Sequence, residues 1–264
     1  MRYHVVTIVL RLVRCVGVRV GISVLGLRGK MNILKQLYKQ SDYHDKYGMI
    51  FNTDCMKFMS SIEVGGVFDL TLTDIPYGEV NRNDNGLRNL DKANADIMTF
   101  DLKSFLERIY DLTKGTIIIF CGNEQYSEIY SFFNKKSKQN LGTTRQIIWH
   151  KTNPSPMNGQ HIYLSASENA GWFKKRGATF NAHCKHNVFE SATGRSKIHP
   201  TEKNHNLIQE LILDNSNEGD IIFDPCAGSL AHCLVARENG RRYVGCELNE
   251  EYFERGVERL KTIK

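Results

Sequence analysis

Residues 70–80 combine a buried-strand pattern with side chains that could perform chemistry. The apolar run ends at Asp74, Ile75, Pro76 and Tyr77. Asp74 supplies a hydrogen-bond acceptor, and the ring of Pro76 restricts the backbone so that the carbonyl of Ile75 points in a fixed direction. A carboxylate beside a carbonyl can hold both hydrogens of an exocyclic amino group, while the flat ring of Tyr77 stacks on the ring that carries it. The alternative is an ordinary strand-ending turn, because Asp, Pro and Gly are also common turn residues.

A second cluster follows another apolar run, at Phe223-Asp224-Pro225-Cys226-Ala227-Gly228-Ser229, and precedes a helical pattern. Small residues at a helix N-terminus let the backbone approach a ligand closely. About twenty residues further on, the next predicted strand ends at Glu247, and an acid at this spacing can accept hydrogen bonds from ribose hydroxyls. An ordinary strand–helix turn with an acidic neighbour remains the alternative.

Both clusters lie at the ends of predicted strands in a chain where strands and helices alternate from Met31 onward. This alternation predicts an α/β fold with a mostly parallel sheet and helices on both faces. Such sheets bind ligands at the carboxyl ends of their strands. The sequence therefore predicts that Asp74 and Asp224 lie at one edge of the sheet.

Periodicity weakens over residues 152–198, where the composition also becomes basic. Between residues 149 and 197 there are seven Lys or Arg residues but only two acidic ones, Glu168 and Glu190, and aromatic residues are interspersed among them. Basic side chains of this kind contact phosphates, although a charge cluster by itself more often marks a solvated face. The basic residues considered are Lys151, Lys174, Lys175, Arg176, Arg195 and Lys197.

Five segments together resemble the amino-directed DNA methyltransferases. Asp-Ile-Pro-Tyr resembles their Asp-Pro-Pro-Tyr motif, and Asp-Pro-Cys-Ala-Gly-Ser resembles their donor-binding Asp-Pro-Phe-x-Gly-Ser motif. Residues 52–59, 147–153 and 199–203 are similar to three further elements of the family. The order of catalytic motif, basic region and donor motif is that of the circularly permuted β-type members, and it extends from about residue 48 to the C-terminus.

The resemblance implies a Rossmann-like methyltransferase fold, S-adenosylmethionine as cofactor and double-stranded DNA as substrate. It also implies that the basic region recognises the target, so the six basic residues named above are the candidate DNA-binding residues. A base flipped out of the duplex would stack on Tyr77, with Asp74 and the Ile75 carbonyl holding its amino group. Glu247 would bind the donor's ribose, and Asp54 would lie near its adenine. The implied donor-binding residues are Asp54, Cys55, His199, Thr201, Lys203, Asp224, Pro225, Cys226, Ala227, Gly228 and Glu247.

Three residues depart from the family pattern. Ile75 replaces a proline but keeps the carbonyl, and Cys226 replaces a phenylalanine in an apolar lining. Leu230 stands where the family has a second glycine, so its side chain is expected to crowd the donor. This departure motivates a rival interpretation, a non-catalytic DNA-binding protein that kept the fold.

The base that accepts the methyl group is predicted to be adenine, at N6, because an aspartate opens the catalytic motif. Cytosine N4 is the alternative, since both bases present an exocyclic amine. The resemblance also leads us to expect a homodimer. The sequence does not identify a recognition site or a restriction endonuclease partner.

Charge and cysteine content bound the remaining classes. Six of the 35 basic residues lie in residues 1–30, which contain no acid, so the other 29 match the 29 acidic residues. Arginines interrupt each apolar stretch of this segment, and none reaches the roughly 20 apolar residues of a membrane helix. We interpret residues 1–30 as a disordered or non-native extension and residues 31–264 as the methyltransferase domain, with a recognition region at about 152–198. A basic arm that binds a membrane surface or nucleic acid is the alternative.

The seven cysteines form no C-x-x-C pair, which favours a reduced, cytoplasmic protein. His183, Cys184 and His186 lack a second ligand pair at suitable spacing, so no metal site is expected.

Overall fold

The computed structural model describes residues 24–77, 98–156, 159–194 and 202–262. The helices in these ranges are α1 Val24–Gln40, α2 Cys55–Ser60, α3 Leu102–Leu112, α4 Asn123–Lys138, α5 His205–Asn215, α6 Ala231–Glu238 and α7 Glu250–Thr262. The strands are β1 Tyr43–His44, β2 Gly48–Asn52, β3 Phe68–Asp74, β4 Thr113–Cys121, β5 Gly142–Lys151, β6 Ser167–Lys175, β7 Val188–Ser191, β8 Ile221–Asp224 and β9 Arg242–Glu247.

The described strands form one nine-stranded sheet in the order β1-β2-β9-β8-β3-β4-β6-β5-β7. Only β1 and β6 run antiparallel to their neighbours. The carboxyl ends of β2, β3, β4, β8 and β9 therefore lie at one edge, which we call the carboxyl edge. This arrangement confirms the predicted, mostly parallel α/β sheet.

Hydrophobic side chains are buried on both faces of the sheet. Along β4, Ile117 and Ile119 pack with α1–α4, whereas Ile118 and Phe120 pack with α5–α7. This burial on both sides explains why β4 is a continuous apolar run rather than an alternating one. Within the described helices, none has the length and apolar character of a membrane crossing.

Two sequence-based boundaries are changed by the structure. Helix α1 begins at Val24 and passes through the expected start at Met31, and Lys30 lies 3.5 Å from the carboxylate of Asp69. Residues 1–23 lie outside the described residues. The predicted recognition region at 152–198 contributes β6 and β7 to the central sheet, so much of it is part of the main fold.

Candidate active site

A cavity of about 420 Å³ opens at the carboxyl edge of the sheet. Its walls come from the ends of β2, β3, β8 and β9, from residues 99–100 and from Glu202 and Lys203. It brings together the two clusters that the sequence singled out, because their strands β3 and β8 are neighbours in the sheet. The predicted meeting of Asp74 and the 224–229 turn at one edge is therefore confirmed.

The segment after β3 is fixed to the sheet and to α4. The backbone N–H of Ile75 donates to the carbonyl of Phe120 at 3.2 Å, which continues the pairing of β3 with β4. The side chain of Gln125 donates to the carbonyl of Pro76 at 2.7 Å. These two contacts hold the backbone of Asp74 to Tyr77 in place against the cavity.

A charged cluster of five side chains underlies this segment: Asp74, Tyr77, Lys151, Glu168 and Lys203. Lys203 contacts Asp74 Oδ2 at 2.5 Å, Glu168 Oε2 at 2.9 Å and the Tyr77 hydroxyl at 3.1 Å. Tyr77 in turn donates to Glu168 Oε2 at 3.2 Å, and Lys151 lies 2.5 Å from Glu168 Oε1. The cluster therefore contains two carboxylates and two ammonium groups, with no net charge.

The protonation states within this five-residue cluster follow from its geometry. Burial disfavours the charged form of Glu168, but the ammonium groups of Lys203 and Lys151 outweigh it and hold its pKa at about 2. Burial and the negative charges of Asp74 and Glu168 raise the pKa of Tyr77 well above its ordinary value. Tyr77 is therefore a neutral phenol that donates a hydrogen bond to an ionised Glu168.

One oxygen of Asp74 has no partner. Asp74 lines the cavity, and its Oδ1 is buried and accepts no hydrogen bond of ordinary length and angle from the described residues. An unsatisfied buried acceptor costs free energy until a donor reaches it. Asp74 is thus prepared to accept a hydrogen bond from a ligand.

The turn after β8 is held from below by Asp224. Its carboxylate accepts hydrogen bonds from the Thr73 hydroxyl at 2.8 Å and the Cys226 N–H at 3.2 Å, and it lies 2.6 Å from Nδ1 of His232. Asp224 is 1% exposed and is absent from the described lining of the cavity, whereas Pro225 to Ser229 form part of that lining. Asp224 therefore positions the turn, and its predicted contact with the donor stays a prediction from the sequence.

Glu247, at the end of β9, contacts the same turn through its carboxylate. Its Oε2 accepts from the N–H of Gly228 and its Oε1 from the N–H of Asn249, each at 2.7 Å. Gly228 has φ 50°, a left-handed conformation that favours glycine. Glu247 therefore lines the cavity at the end of β9, where the sequence predicted a ribose-binding acid.

We expect Glu247→Gln to remove a pH dependence of stability. Burial raises the pKa of Glu247 to about 7, although the N–H groups of Asn249 and Gly228 oppose the shift. Because this pKa lies above the unfolded value of 4.5, Glu247 contributes its full stabilisation of the fold below pH 4.5. This contribution is lost as pH rises towards 7. The loss amounts to about 3 kcal/mol.

Urea unfolding of both proteins from pH 4 to pH 8 measures this effect. The free energy of unfolding of the unsubstituted protein should fall relative to that of Glu247→Gln as pH rises. Parallel curves for the two proteins would contradict the assignment of this titration to Glu247.

Leu230 does not crowd the cavity, which corrects the expectation from sequence. Its φ is 59°, so the backbone does adopt the left-handed conformation for which glycine is suited. Its side chain, however, is fully buried in the core on the α5–α7 face and packs against Gly256 of α7. A Cβ on Gly256 would lie 2.5 Å from Leu230 Cγ, so glycine in α7 makes room for the leucine.

Asp54 and Cys55 lie at the start of α2 and line the cavity, as predicted. Asp54 caps the helix by accepting from the Lys57 N–H at 2.9 Å, and its other oxygen accepts from Thr99 at 3.4 Å. Cys226 stands across from Cys55. A hydrogen bond with Cys55, together with burial, raises the pKa of the Cys226 thiol well above its ordinary value, so it is a neutral, weakly polar wall.

The structure separates the predicted DNA-binding residues. Because β6 runs antiparallel to β4, its last residues lie at the end of the sheet opposite the cavity, about 17 Å from Asn169 along the strand. Lys175 donates to the carbonyls of Tyr110 and Thr113, and burial lowers its pKa to about 8. Lys174 and Arg176 lie at the same end, and Arg176 donates to the carbonyl of Asn140. Lys151 is paired with Glu168, as described above.

Of the predicted DNA-binding residues, Lys151 is thus paired with Glu168, and Lys174, Lys175 and Arg176 lie at the end of the sheet opposite the cavity; their contact with DNA stays a prediction from the sequence. Four other predicted site residues, Arg195, Lys197, His199 and Thr201, lie outside the described residues. In the ranges that the structure covers, no three His, Cys, Asp or Glu side chains come together as a metal site requires.

Sequence reasoning missed the roles of Glu168 and His232. Glu168 is the second residue of β6, and a charge placed just before the apolar residues of that strand was the available signal. His232 lies on α6 beneath the turn and also lines the cavity. Lys203 was predicted near the donor; in the structure it lines the cavity, and its ammonium group contacts Asp74 and Tyr77.

The cavity residues fit S-adenosylmethionine. A volume of about 420 Å³ lies within the range of pockets for ligands of this size. Glu247 supplies an acceptor for ribose hydroxyls, and Ile75, Phe100 and Leu248 supply apolar surface for a purine. The turn at 225–229 brings backbone close to the cavity at the N-terminus of α6.

Comparisons with known proteins agree with this geometry. A family model described as DNA methylase, for N6 and N4 enzymes, matches residues 68–258. The chain is 25% identical over 251 residues to the Type II methyltransferase M2.DpnII of Streptococcus pneumoniae, covering 83% of this chain and 92% of that protein. It is 47% identical over 62 residues to the DNA adenine methyltransferase YhdJ of Escherichia coli K12, covering 24% of this chain and 21% of YhdJ.

A solved structure of the M1.HpyAVI–SAM complex superimposes with a TM-score of 0.62 at 25% identity, covering 80% of this chain and 99% of that one. The fold and the donor therefore agree with those that the sequence motifs imply.

Proposed function

We propose, because this chain belongs to the family of N6 and N4 DNA methylases, that it methylates N6 of adenine in double-stranded DNA. The cofactor is S-adenosylmethionine, which supplies a methyl group bonded to a sulfonium. The observation that carries the proposal is that one cavity holds both the turn at 225–229 with Glu247 and the unsatisfied carboxylate of Asp74.

The residues of the chain divide into two groups in this proposal. Glu247 holds the ribose of the donor, while Asp54, Cys55 and the 225–229 turn border the rest of it. Asp74 and the carbonyl of Ile75 accept the two hydrogens of the target amine, which directs its lone pair at the methyl group. The ring of Tyr77 stacks on the base.

The target base must leave the duplex, because its amino group is unreachable within the stack. No covalent bond to the enzyme is needed, since the amine itself is the nucleophile. Catalysis then rests on holding the amine and the methyl group in line and on the negative charge of Asp74 beside the amine as positive charge develops on it.

Two observations support adenine over cytosine. An aspartate opens the catalytic motif, and the similar protein YhdJ is named as a DNA adenine methyltransferase. Cytosine N4 uses the same geometry and is a distinct outcome of the test below.

The rival interpretation, a DNA-binding protein without catalysis, depended on Leu230. Its side chain packs in the core instead of the cavity, so Leu230 no longer argues against donor binding. Arg195 and Lys197 lie outside the described residues, and their contact with DNA stays a prediction from the sequence. A homodimer and a cytoplasmic location remain predictions from the sequence.

Transfer of labelled methyl from S-adenosylmethionine to unmethylated genomic DNA, followed by nucleoside analysis, tests the proposal. Label in N6-methyladenine is the expected result. Label in N4-methylcytosine would retain the mechanism and overturn the choice of base. Absence of label in DNA, with no donor binding by calorimetry, would overturn the catalytic proposal.

A further inference from the structure

Lys203 is a buried cation, and the hydrogen-bond and ion-pair partners that the described residues give it belong to the catalytic side of the cavity. Its side chain is 2% exposed, and desolvation of an ammonium group is costly unless partners compensate it. Its partners are Asp74 Oδ2, Glu168 Oε2 and the Tyr77 hydroxyl. A lysine ammonium has three N–H donors. These three acceptors use all of them, so no donor remains for a direct hydrogen bond to S-adenosylmethionine.

We propose that Lys203 is a positioning residue, which fixes the orientation of Asp74 and Tyr77 towards the target base, and that Glu168 holds Lys203 in place. This inference rests on the proposed function, because it concerns the same methyl transfer. In this role Lys203 and Glu168 act through Asp74 and Tyr77 and do not touch the base or the donor themselves.

The contact with Asp74 sets which carboxylate oxygen remains for the ligand. Lys203 occupies Oδ2 and leaves Oδ1 without a partner among the described residues. Without this contact, the carboxylate would be free to rotate about its Cβ–Cγ bond. A rotation of that kind misdirects the amine, and misplacement by about 1 Å can cost about 100-fold in rate.

The contacts with Tyr77 and Glu168 form a closed triangle. Lys203 donates to the Tyr77 hydroxyl, Tyr77 donates to Glu168 Oε2, and Lys203 contacts the same oxygen. The hydroxyl end of the tyrosine is therefore anchored while its ring lines the cavity. A base that stacks on this ring meets a surface with a fixed orientation.

The triangle is also tied to the end of β5. Lys151, the last residue of β5, is paired with the second oxygen of Glu168 at 2.5 Å. Without Lys203, Glu168 would keep its ion pair with Lys151, whereas Asp74 would lose the ion pair that the described residues give it. Removal of Lys203 is thus expected to disturb the catalytic carboxylate more than the donor side of the cavity.

The test compares Lys203→Met, Lys203→Arg and Lys138→Met in the full chain. Lys138 is an exposed residue at the end of α4 and serves as the matched control. For each protein, kcat and KM for DNA are measured by methyl transfer, and the dissociation constant for S-adenosylmethionine is measured by calorimetry. We expect Lys203→Met to lower kcat by about 100-fold, with donor affinity changed less than about threefold.

Lys203→Arg should recover part of kcat because it restores the charge, and Lys138→Met should match the unsubstituted protein. A loss of donor affinity with kcat preserved would overturn the proposal in favour of the donor-binding role predicted from sequence. Unchanged kcat in an active enzyme would overturn the positioning role alone. Absence of methyl transfer by the unsubstituted protein would overturn the proposed function and this inference with it.

Glu168→Gln keeps the test decisive if Lys203→Met fails to fold. It removes the charge that holds Lys203 while nearly preserving the shape of the side chain. We expect kcat to fall by about tenfold, again with donor affinity retained. A kcat equal to that of the unsubstituted protein would contradict the role of Glu168.

Discussion

Asp74→Asn is expected to lower kcat for methyl transfer by about 100- to 1,000-fold, the loss typical when one group that stabilises the transition state is removed. The substitution keeps the size of the side chain but removes its negative charge. Its amide oxygen can still accept from Lys203, which leaves an NH₂ group where the target amine needs an acceptor. Two N–H donors then face each other, and the lone pair of the amine is no longer directed at the methyl group.

Kinetics and binding together separate this effect from damage to the fold. Asp74→Asn should bind S-adenosylmethionine about as tightly as the unsubstituted protein, because the described contacts of the 225–229 turn and Glu247 do not involve Asp74. Asp111→Asn, an exposed carboxylate on α3, is the matched control and should keep full activity. If Asp74→Asn retained kcat within a factor of about three, the assignment of the acceptor would be wrong.

Asp224→Ala is expected to destabilise the fold by about 3–5 kcal/mol, as is usual when one partner of a buried charged network is removed. The Thr73 hydroxyl, the Cys226 N–H and Nδ1 of His232 would each lose their contact with the carboxylate. The turn at 225–229 would lose its support at the same time. Donor affinity should therefore fall by about tenfold or more even in the folded fraction.

Chemical denaturation and calorimetry measure the two effects separately. Asp224→Asn is the matched variant, because its amide oxygen can accept the hydrogen bond from Thr73 and should lose less stability than alanine. An unfolding free energy within about 1 kcal/mol of the unsubstituted value would show that Asp224 does not hold the turn.

Residues 70–77 and 221–229 could be recognised from the sequence as candidate parts of a site, because each is a local pattern. An apolar run ends in polar and small residues, and parallel strands bring such ends to one edge of the sheet. The α/β fold and a ligand site at the carboxyl edge were therefore predictable from short stretches of sequence, whereas the identity of the donor came from the resemblance to the methyltransferase family. Glu247 was predictable for the same reason, since the strand that it ends lies next to β8.

Contacts between distant segments were not predictable. Lys203 contacts Asp74 across 129 residues, and Glu168 of β6 contacts Lys203. The sequence placed Asp74 and Lys203 in separate motifs but did not show that they pair, because a buried ion pair depends on where two chain segments cross. The direction of Leu230 is likewise a property of packing, since Gly256 on α7 makes the space that receives it.

The basic residues show most clearly what the sequence determines and what the tertiary structure determines. The sequence by itself determined that Lys174, Lys175 and Arg176 form a positive cluster within the region that precedes the donor motif. Only the tertiary structure showed that β6 runs antiparallel to β4, which carries these residues to the far end of the sheet. Strand direction is set by which neighbours a strand pairs with, so the side of the protein on which a strand's last residues lie is decided only by the folded sheet.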